Sequence, residues 1–307
     1  MVLKKKISME VFEIKLESGE VLKGNFWPAK DAKANFTMIT GMQEYAARYD
    51  DLAKYMNSKG INVWILDHFG QGLNAPTEED LQKWPEGAFD KTVDAIELMI
   101  QEAKKNGLPT IQGGHSMGSF MTQARLEKYP LSAAKTIIIG SNGGQGGLMS
   151  IASLLSKIAI NKSNWDKPNK FFSNLGLGPY SKAIKDARTP LDWLSYNEAN
   201  VDAYIADPYL GHMNTGGFWK EFLKGMAQIW KKKEMQKVSP EEIIYITSGE
   251  EDPVGQNGKG VKWLEEAYKK LGVKDVTLKL YPHMRHEIHN ELEHQQVYDD
   301  LVNFILK

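Results

Sequence analysis

Apolar and polar residues alternate with period two over residues 11–16. The alternation breaks at Glu17-Ser18-Gly19-Glu20 and resumes over residues 21–27. This pattern predicts a β-hairpin with one solvated face. Short, nearly continuous apolar runs follow at residues 35–40, 61–66, 109–112, 135–140, 242–247 and 276–281. Runs of that length predict strands buried on both faces. Between them lie stretches with helical spacing. One covers residues 44–59 and is closed by Gly60. Another covers 89–106, with Val93, Ile96, Leu98, Met99 and Ile100 on its apolar stripe and Gly107 at its end. A third runs from 119 to Pro130. Residues 218–237, 260–271 and 291–307 read as further helices. Strands alternating with helices indicate parallel βαβ units with helices on both faces of one sheet.

The rhythm breaks after Gly140. Residues 141–217 contain no clear βαβ unit. They open with Asn142-Gly143-Gly144-Gln145-Gly146-Gly147, a sequence suited to a hinge. An apolar helix then runs through Leu148, Met149, Ile151, Leu154, Leu155, Ile158 and Ile160, followed by segments rich in Trp, Tyr and Phe. The division this predicts is an α/β core at 1–140, a helical cap inserted at 141–217, and the rest of the core at 218–307. The apolar stripe of the cap helix serves either the cap's own packing or the lining of a pocket.

A length of 307 residues suits one large α/β domain with such an insertion. The net charge of −1 provides no basic field for nucleic acid. The absence of cysteine excludes disulfides and thiolate metal sites, and is compatible with a reducing compartment. Lys4-Lys5-Lys6 near the start is not followed by the apolar run of a signal peptide, and reads as a solvated terminus. No stretch approaches the roughly 18 apolar residues of a membrane span. The expectation is a cytoplasmic protein, monomer or homodimer, without stable membrane insertion.

Candidate chemistry centres on Gly114-His115-Ser116-Met117-Gly118, placed between a predicted strand and a predicted helix. A strand that turns sharply into a helix, with glycines flanking a serine, exposes the hydroxyl at the carboxyl end of a sheet. A helix-capping serine is the blander reading of the same residues. Asp252 and His286 follow the next two predicted strands, giving the order serine, acid, histidine. Carboxyl-end loops of an open sheet share a crevice, so the three residues can meet. In that arrangement His286 takes the proton of Ser116, Asp252 orients the imidazole, and the acyl group passes through a serine ester. The backbone N–H groups of Met42 and Met117 are the expected oxyanion donors. Gly41, His115 and Val254, beside these residues in sequence, are candidates for contact with substrate. Rivals exist within the same loops: Glu250 and Glu251 beside Asp252, and His283 and His289 beside His286. A metal reading of His283, His286, Glu287, His289 and His294 fails the His-Glu-X-X-His spacing, because Asn290 stands where the second histidine belongs. No metal or cofactor is expected. His68 and His115 read as structural histidines beside the site, and His212 as a surface or pocket-rim residue.

These residues together resemble the α/β-hydrolase superfamily, in its monoacylglycerol lipase and lysophospholipase-like (serine aminopeptidase-like) branch. The resemblance is carried by Thr40-Gly41-Met42-Gln43-Glu44 with Arg48-Tyr49-Asp50-Asp51-Leu52-Ala53, by Asp67-His68-Phe69-Gly70-Gln71-Gly72, by Gly114 to Ser119, by Asp252-Pro253-Val254-Gly255 and by Arg285-His286-Glu287. It implies an α/β-hydrolase fold, a mostly parallel eight-stranded sheet with an inserted helical cap. It also implies a serine hydrolase using Ser116, Asp252 and His286, with Met42 and Met117 at the oxyanion. The family's usual His-Gly before the oxyanion residue is Thr40-Gly41 here. A small-molecule carboxylic ester is the implied substrate, monoacylglycerol or lysophospholipid-like. The alternatives are an esterase for short-chain or hydroxycinnamoyl esters, an amidase or aminopeptidase, and a catalytically idle binding protein. An aminopeptidase needs an acid to hold the substrate amine, and Glu198, Asp202 and Asp207 are the cap's candidates.

Overall fold

The computed structural model describes residues 9–307, so the Lys4-Lys5-Lys6 cluster lies outside the described residues. Eight strands form one sheet: β1 (Glu10–Lys15), β2 (Val21–Trp27), β3 (Ala34–Ile39), β4 (Ile61–Leu66), β5 (Thr110–His115), β6 (Lys135–Ile139), β7 (Ile243–Gly249) and β8 (Asp275–Tyr281). Their spatial order is β1-β2-β4-β3-β5-β6-β7-β8. Only β2 runs against the rest. It pairs antiparallel with β1 and β4, and every pairing from β4 onward is parallel. The chain is an α/β protein with a mostly parallel eight-stranded sheet, as the apolar runs predict.

The helices are α1 (Asp50–Ser58), α2 (Ala88–Lys104), α3 (Met117–Lys128), α4 (Gly146–Ala159), α5 (Lys170–Ala183), α6 (Glu198–Ala206), α7 (Gly216–Met226), α8 (Lys232–Met235), α9 (Lys259–Lys270) and α10 (His294–Leu306). Side chains of a strand point alternately to its two faces, and β6 shows the result. Ile137 and Ile139 join the core under α1 and α10, while Ile138 joins the core under α3 and α9. Helices therefore cover both faces. Residues between β6 and β7 leave the sheet for about a hundred positions, and α4, α5 and α6 wall the cavity described below.

Five local predictions differ from the structure, each for a physical reason. The helix expected over 44–59 begins as a 3-10 turn at Ala46–Tyr49 and becomes α-helical only at Asp50. Glu44 stays outside because its carboxylate and carbonyl are both engaged in tertiary hydrogen bonds. Gly146 and Gly147, expected in a hinge, are the first residues of α4. Gly143 and Gly144 pack on the indole of Trp263. The apolar stripe of α4 neither packs the cap nor, for the most part, lines the pocket. Ile151, Leu154, Leu155 and Ile158 face outward, Ile158 being 76% exposed. The inward face is instead Ala152, Ser153 and Ser156, small residues that let α4 come close to α7. The single helix expected over 218–237 is α7 and α8, separated by a turn in which Trp230 points inward and donates to Gln123 Oε1 at 2.9 Å. The last helix starts at His294 rather than 291, because the Glu291 carboxylate accepts from Ser195 Oγ and from the backbone of Tyr196 and Arg285.

Candidate active site

Ser116 sits between β5 and α3 with φ 53° and ψ −121°, outside the regions a side chain ordinarily permits. The turn is tight enough that flanking positions cannot carry a Cβ. At Gly118 it would strike the carbonyls of Ile39 and Thr40, and at Gly114 the backbone of Gly118 and the hydroxyl of Thr122. Glycine is therefore required at both, and the serine is lifted to the N-terminus of α3, where the helix dipole favours negative charge.

His286 and Asp252 come from the loops after β8 and β7. Both are buried, and His286 Nδ1 lies 3.0 Å from Asp252 Oδ2. The carboxylate accepts the Nδ1 proton, so Nε2 keeps its lone pair. Asp252 is itself fixed by Ser248 Oγ at 3.0 Å and Val254 N–H at 2.9 Å. Trp193 lies over the His286 ring at 5.2 Å between centroids, with Tyr180 against Trp193 at 5.1 Å. Ser116 and His286 line one cavity of about 420 Å3. Among the described residues no hydrogen bond joins the two, as is common before substrate tightens such a site.

Met42 and Met117 line the same cavity. Neither N–H has a protein acceptor among the described residues, whereas the neighbouring Gly41 N–H donates to Glu44 Oε1 at 2.5 Å. Gly41 and Val254 also face the cavity. His115 borders it but has both ring nitrogens occupied. Nδ1 lies 3.1 Å from Glu44 Oε1 and Nε2 3.2 Å from the His286 carbonyl. Burial opposes a charge on His115, but the Glu44 carboxylate outweighs it and raises the pKa. With Nδ1 at Glu44 and Nε2 at the His286 carbonyl, the ring supports the His286 loop. His68, whose pKa burial lowers to about 4, is neutral and donates to the Thr40 carbonyl at 2.7 Å.

A polar cluster behind the site went unassigned in the sequence reading. Arg48 bridges Glu44 at 2.7 Å and Glu287 at 2.8 Å, and stacks over Tyr204 of α6. Tyr49 donates to Glu44 at 2.7 Å, and Asn200 of α6 donates to Glu287 at 2.7 Å. Burial alone drives Glu44 upward, but His115 and Arg48 reverse that and hold it at about 2. Glu287 is likewise held well below the usual carboxylate range by Arg48, against its burial. His289 is buried against Tyr49 and pushed down to about 3 by burial and the neighbouring His115 charge. The signal in the sequence was a charged pair four apart, Glu44 and Arg48, beside an otherwise ordinary helix start. The remaining rivals disperse. His283 is 90% exposed with Glu251 at 3.5 Å, and His294 bonds the Glu291 carbonyl. Glu198 and Asp202 pair with Arg188, Asp207 takes the Tyr45 hydroxyl, and His212 bonds the Pro208 carbonyl.

The cavity wall beyond the serine is mostly apolar, with Asn142, Gln145, Ser181 and Gln256 its polar members. Phe120, Trp219, Phe222, Met226 and Trp230 come from the core side, and Met149, Leu177, Leu191 and Trp193 from the segment between β6 and α7. Among the described residues no helix is long and apolar enough to cross a membrane.

A family model described as serine aminopeptidase, S33 (Hydrolase_4) matches residues 30–293. The chain belongs to this S33 family. The monoacylglycerol lipase of Mycolicibacterium smegmatis is 27% identical to this S33 chain over 288 residues, 91% of this chain and 90% of the relative. Human monoglyceride lipase is 24% identical over 278 residues, 89% of this chain and 82% of the relative. Among solved structures, a thermostable carboxyl esterase from Bacillus coagulans in complex with glycerol superposes with a TM-score of 0.89 at 22% identity. The match covers 98% of this chain and all of that one. This last likeness carries the fold: the S33 chain has the α/β-hydrolase fold.

Proposed function

We propose that this chain is a carboxylic ester hydrolase that cleaves a single-chain ester, monoacylglycerol or lysophospholipid-like, through Ser116, His286 and Asp252. The observation that carries the reading is one cavity with Ser116 and His286 on its wall, Asp252 hydrogen-bonded behind the histidine, and mostly apolar side chains along the rest. Relatives named as monoacylglycerol lipases, matched over most of their length, support it.

The chemistry follows from the geometry. A serine hydroxyl is a weak nucleophile at neutral pH. His286 Nε2, with its lone pair free, takes the hydroxyl proton as Ser116 attacks the ester carbonyl. Asp252 holds the ring in this tautomer and stabilises the imidazolium that forms. The carbonyl oxygen becomes an oxyanion and accepts from Met42 N–H after β3 and from Met117 N–H at the α3 N-terminus. His286 then returns the proton to the leaving alcohol, leaving an acyl-serine. Water, activated by the same histidine, releases the fatty acid. A cavity of about 420 Å3 falls within the range that encloses small organic ligands. Its apolar wall suits an acyl chain. An amine-recognising acid is missing from that wall: the pocket carboxylates Glu44 and Glu287 are committed to Arg48.

The test is hydrolysis rate against acyl length on glycerol and nitrophenyl esters, with Ser116→Ala as control. A maximum at medium or long chains that is lost in the variant is the expected result. Full activity in Ser116→Ala, or a maximum at acetyl, would overturn the reading.

A further inference from the structure

Residues 41–44 form a turn on the wall of the cavity, with Met42 in it. That turn is strained, because Gln43, a residue with a side chain, has φ 61°. Strain of this kind persists only where the surroundings hold it. Gln71, buried in the loop after β4, supplies the hold. Its side-chain oxygen accepts from Gln43 N–H at 2.9 Å. Its amide nitrogen donates to the Gly41 carbonyl at 2.9 Å and to the Glu44 carbonyl at 2.8 Å. A carboxamide offers an acceptor and two donors, and here they engage three backbone groups of one turn. The amide orientation is fixed by its partners, since a flip would set N–H against N–H and carbonyl against carbonyl. Glu44 Oε1 occupies the Gly41 N–H. Met42 N–H is left without a protein acceptor among the described residues, and Met42 lines the same cavity as Ser116.

We infer that Gln71 is a positioning residue for the oxyanion: acting through the backbone of residues 41–44, it aims Met42 N–H at the substrate carbonyl oxygen as that carbon becomes tetrahedral. The inference rests on the serine-esterase reading above. Gln71 touches neither substrate nor the reacting atoms. Its effect is felt where the donor matters most, in the transition state rather than in substrate binding. The α6 side of the turn is held separately, by Tyr204 Oη donating to the Gln43 carbonyl at 2.8 Å. Gln71 therefore secures the core side of a turn clamped from both directions.

The experiment compares Gln71→Met, which keeps length and removes all three hydrogen bonds, with wild type on a soluble nitrophenyl ester and with an alkyl trifluoromethyl ketone. The ketone adds reversibly to the serine hydroxyl and forms a tetrahedral oxyanion without a leaving group. The expected result is a fall in kcat approaching the roughly 100-fold loss that follows removal of an oxyanion donor. KM stays near its wild-type value, and ketone affinity weakens by the same factor as kcat/KM. A folded Gln71→Met with wild-type kcat and ketone affinity would overturn the inference. So would a loss confined to KM. Gln71→Asn, polar but too short to reach all three groups, provides the same readings should the methionine variant not fold. Ser116→Ala, assayed beside them, separates the two claims: activity surviving there refutes the serine reading itself, whatever Gln71 does.

Discussion

At the scale of single residues, three positions were legible because their types are distinctive and their order along the chain is constrained. Ser116 lies between glycines, Asp252 follows a strand in Asp-Pro, and His286 precedes the last helix. The supporting residues were not legible. Glu44, Arg48, Gln71, Glu287 and His289 are ordinary polar types in loops and helix starts. Their meaning depends on the approach of residues 41–49 to residues 286–289, which no spacing within either segment encodes. Arg48 shows what that approach produces. It is nearly enclosed and faces two buried carboxylates. Arg48→Met leaves Glu287 buried without its cation and Glu44 with His115 alone, so a loss of about 3–5 kcal/mol in unfolding free energy is expected. Urea denaturation monitored by tryptophan fluorescence measures it. A loss under about 1 kcal/mol, the range of exposed ion pairs, would mean the cluster is open to water.

At the scale of elements, the strands were read from the sequence with errors of at most three residues at an end, because strands buried on both faces are nearly continuous apolar runs. Helix starts were read less well. The expected start at residue 44 fails because Glu44 serves the turn before it, and the expected start at 291 fails because Glu291 caps the segment around Ser195. In both places a carboxylate has left the helix for a tertiary partner. The apolar pattern of α4 was visible, but its direction was not, since periodicity gives a face and not what covers it. Helix α3 offers a test at its far end. Glu127 is 8% exposed, and burial together with the nearby Glu234 pushes its pKa up to about 9. A raised folded pKa means a contribution fully present below the unfolded value of about 4.5 and lost as pH rises toward 9. Glu127→Gln is therefore expected to match wild type near pH 4.5 and to become progressively more stable than it as pH rises. Unfolding midpoints measured from pH 5 to pH 9 decide this, and parallel curves for the two proteins would refute it.

At the scale of the whole molecule, one sheet sets the site and the segment between β6 and α7 closes over it. The same segment grips both loops that matter. Leu194 accepts from Glu287 N–H at 2.7 Å, and Asp192 accepts from Arg285 at 2.7 Å. On the other side Tyr204 holds the turn of Met42 and Asn214 donates to the Met42 sulfur at 2.9 Å. That sulfur has a further consequence. The chain has 13 methionines and no cysteine, so every sulfur atom it carries is a thioether, and Met42, Met117, Met149 and Met226 all border the cavity. Peroxide therefore finds no thiol to consume it, only thioethers, among them those of the substrate chamber. Met42 and Met149 are half-buried where Met117 and Met226 are enclosed, and Met42, beside Ser116's turn, is the one whose oxidation bears on the reaction. Its sulfoxide would be bulkier and polar beside the acyl wall, and reversible only by methionine sulfoxide reductase. Bleaching with dilute hydrogen peroxide should cut esterase activity while leaving the fold intact, with mass spectrometry showing that the loss follows oxygen added to Met42 rather than to the exposed Met9 and Met213. Met42→Leu, which preserves the backbone N–H, should give an oxidant-tolerant enzyme of near-normal rate.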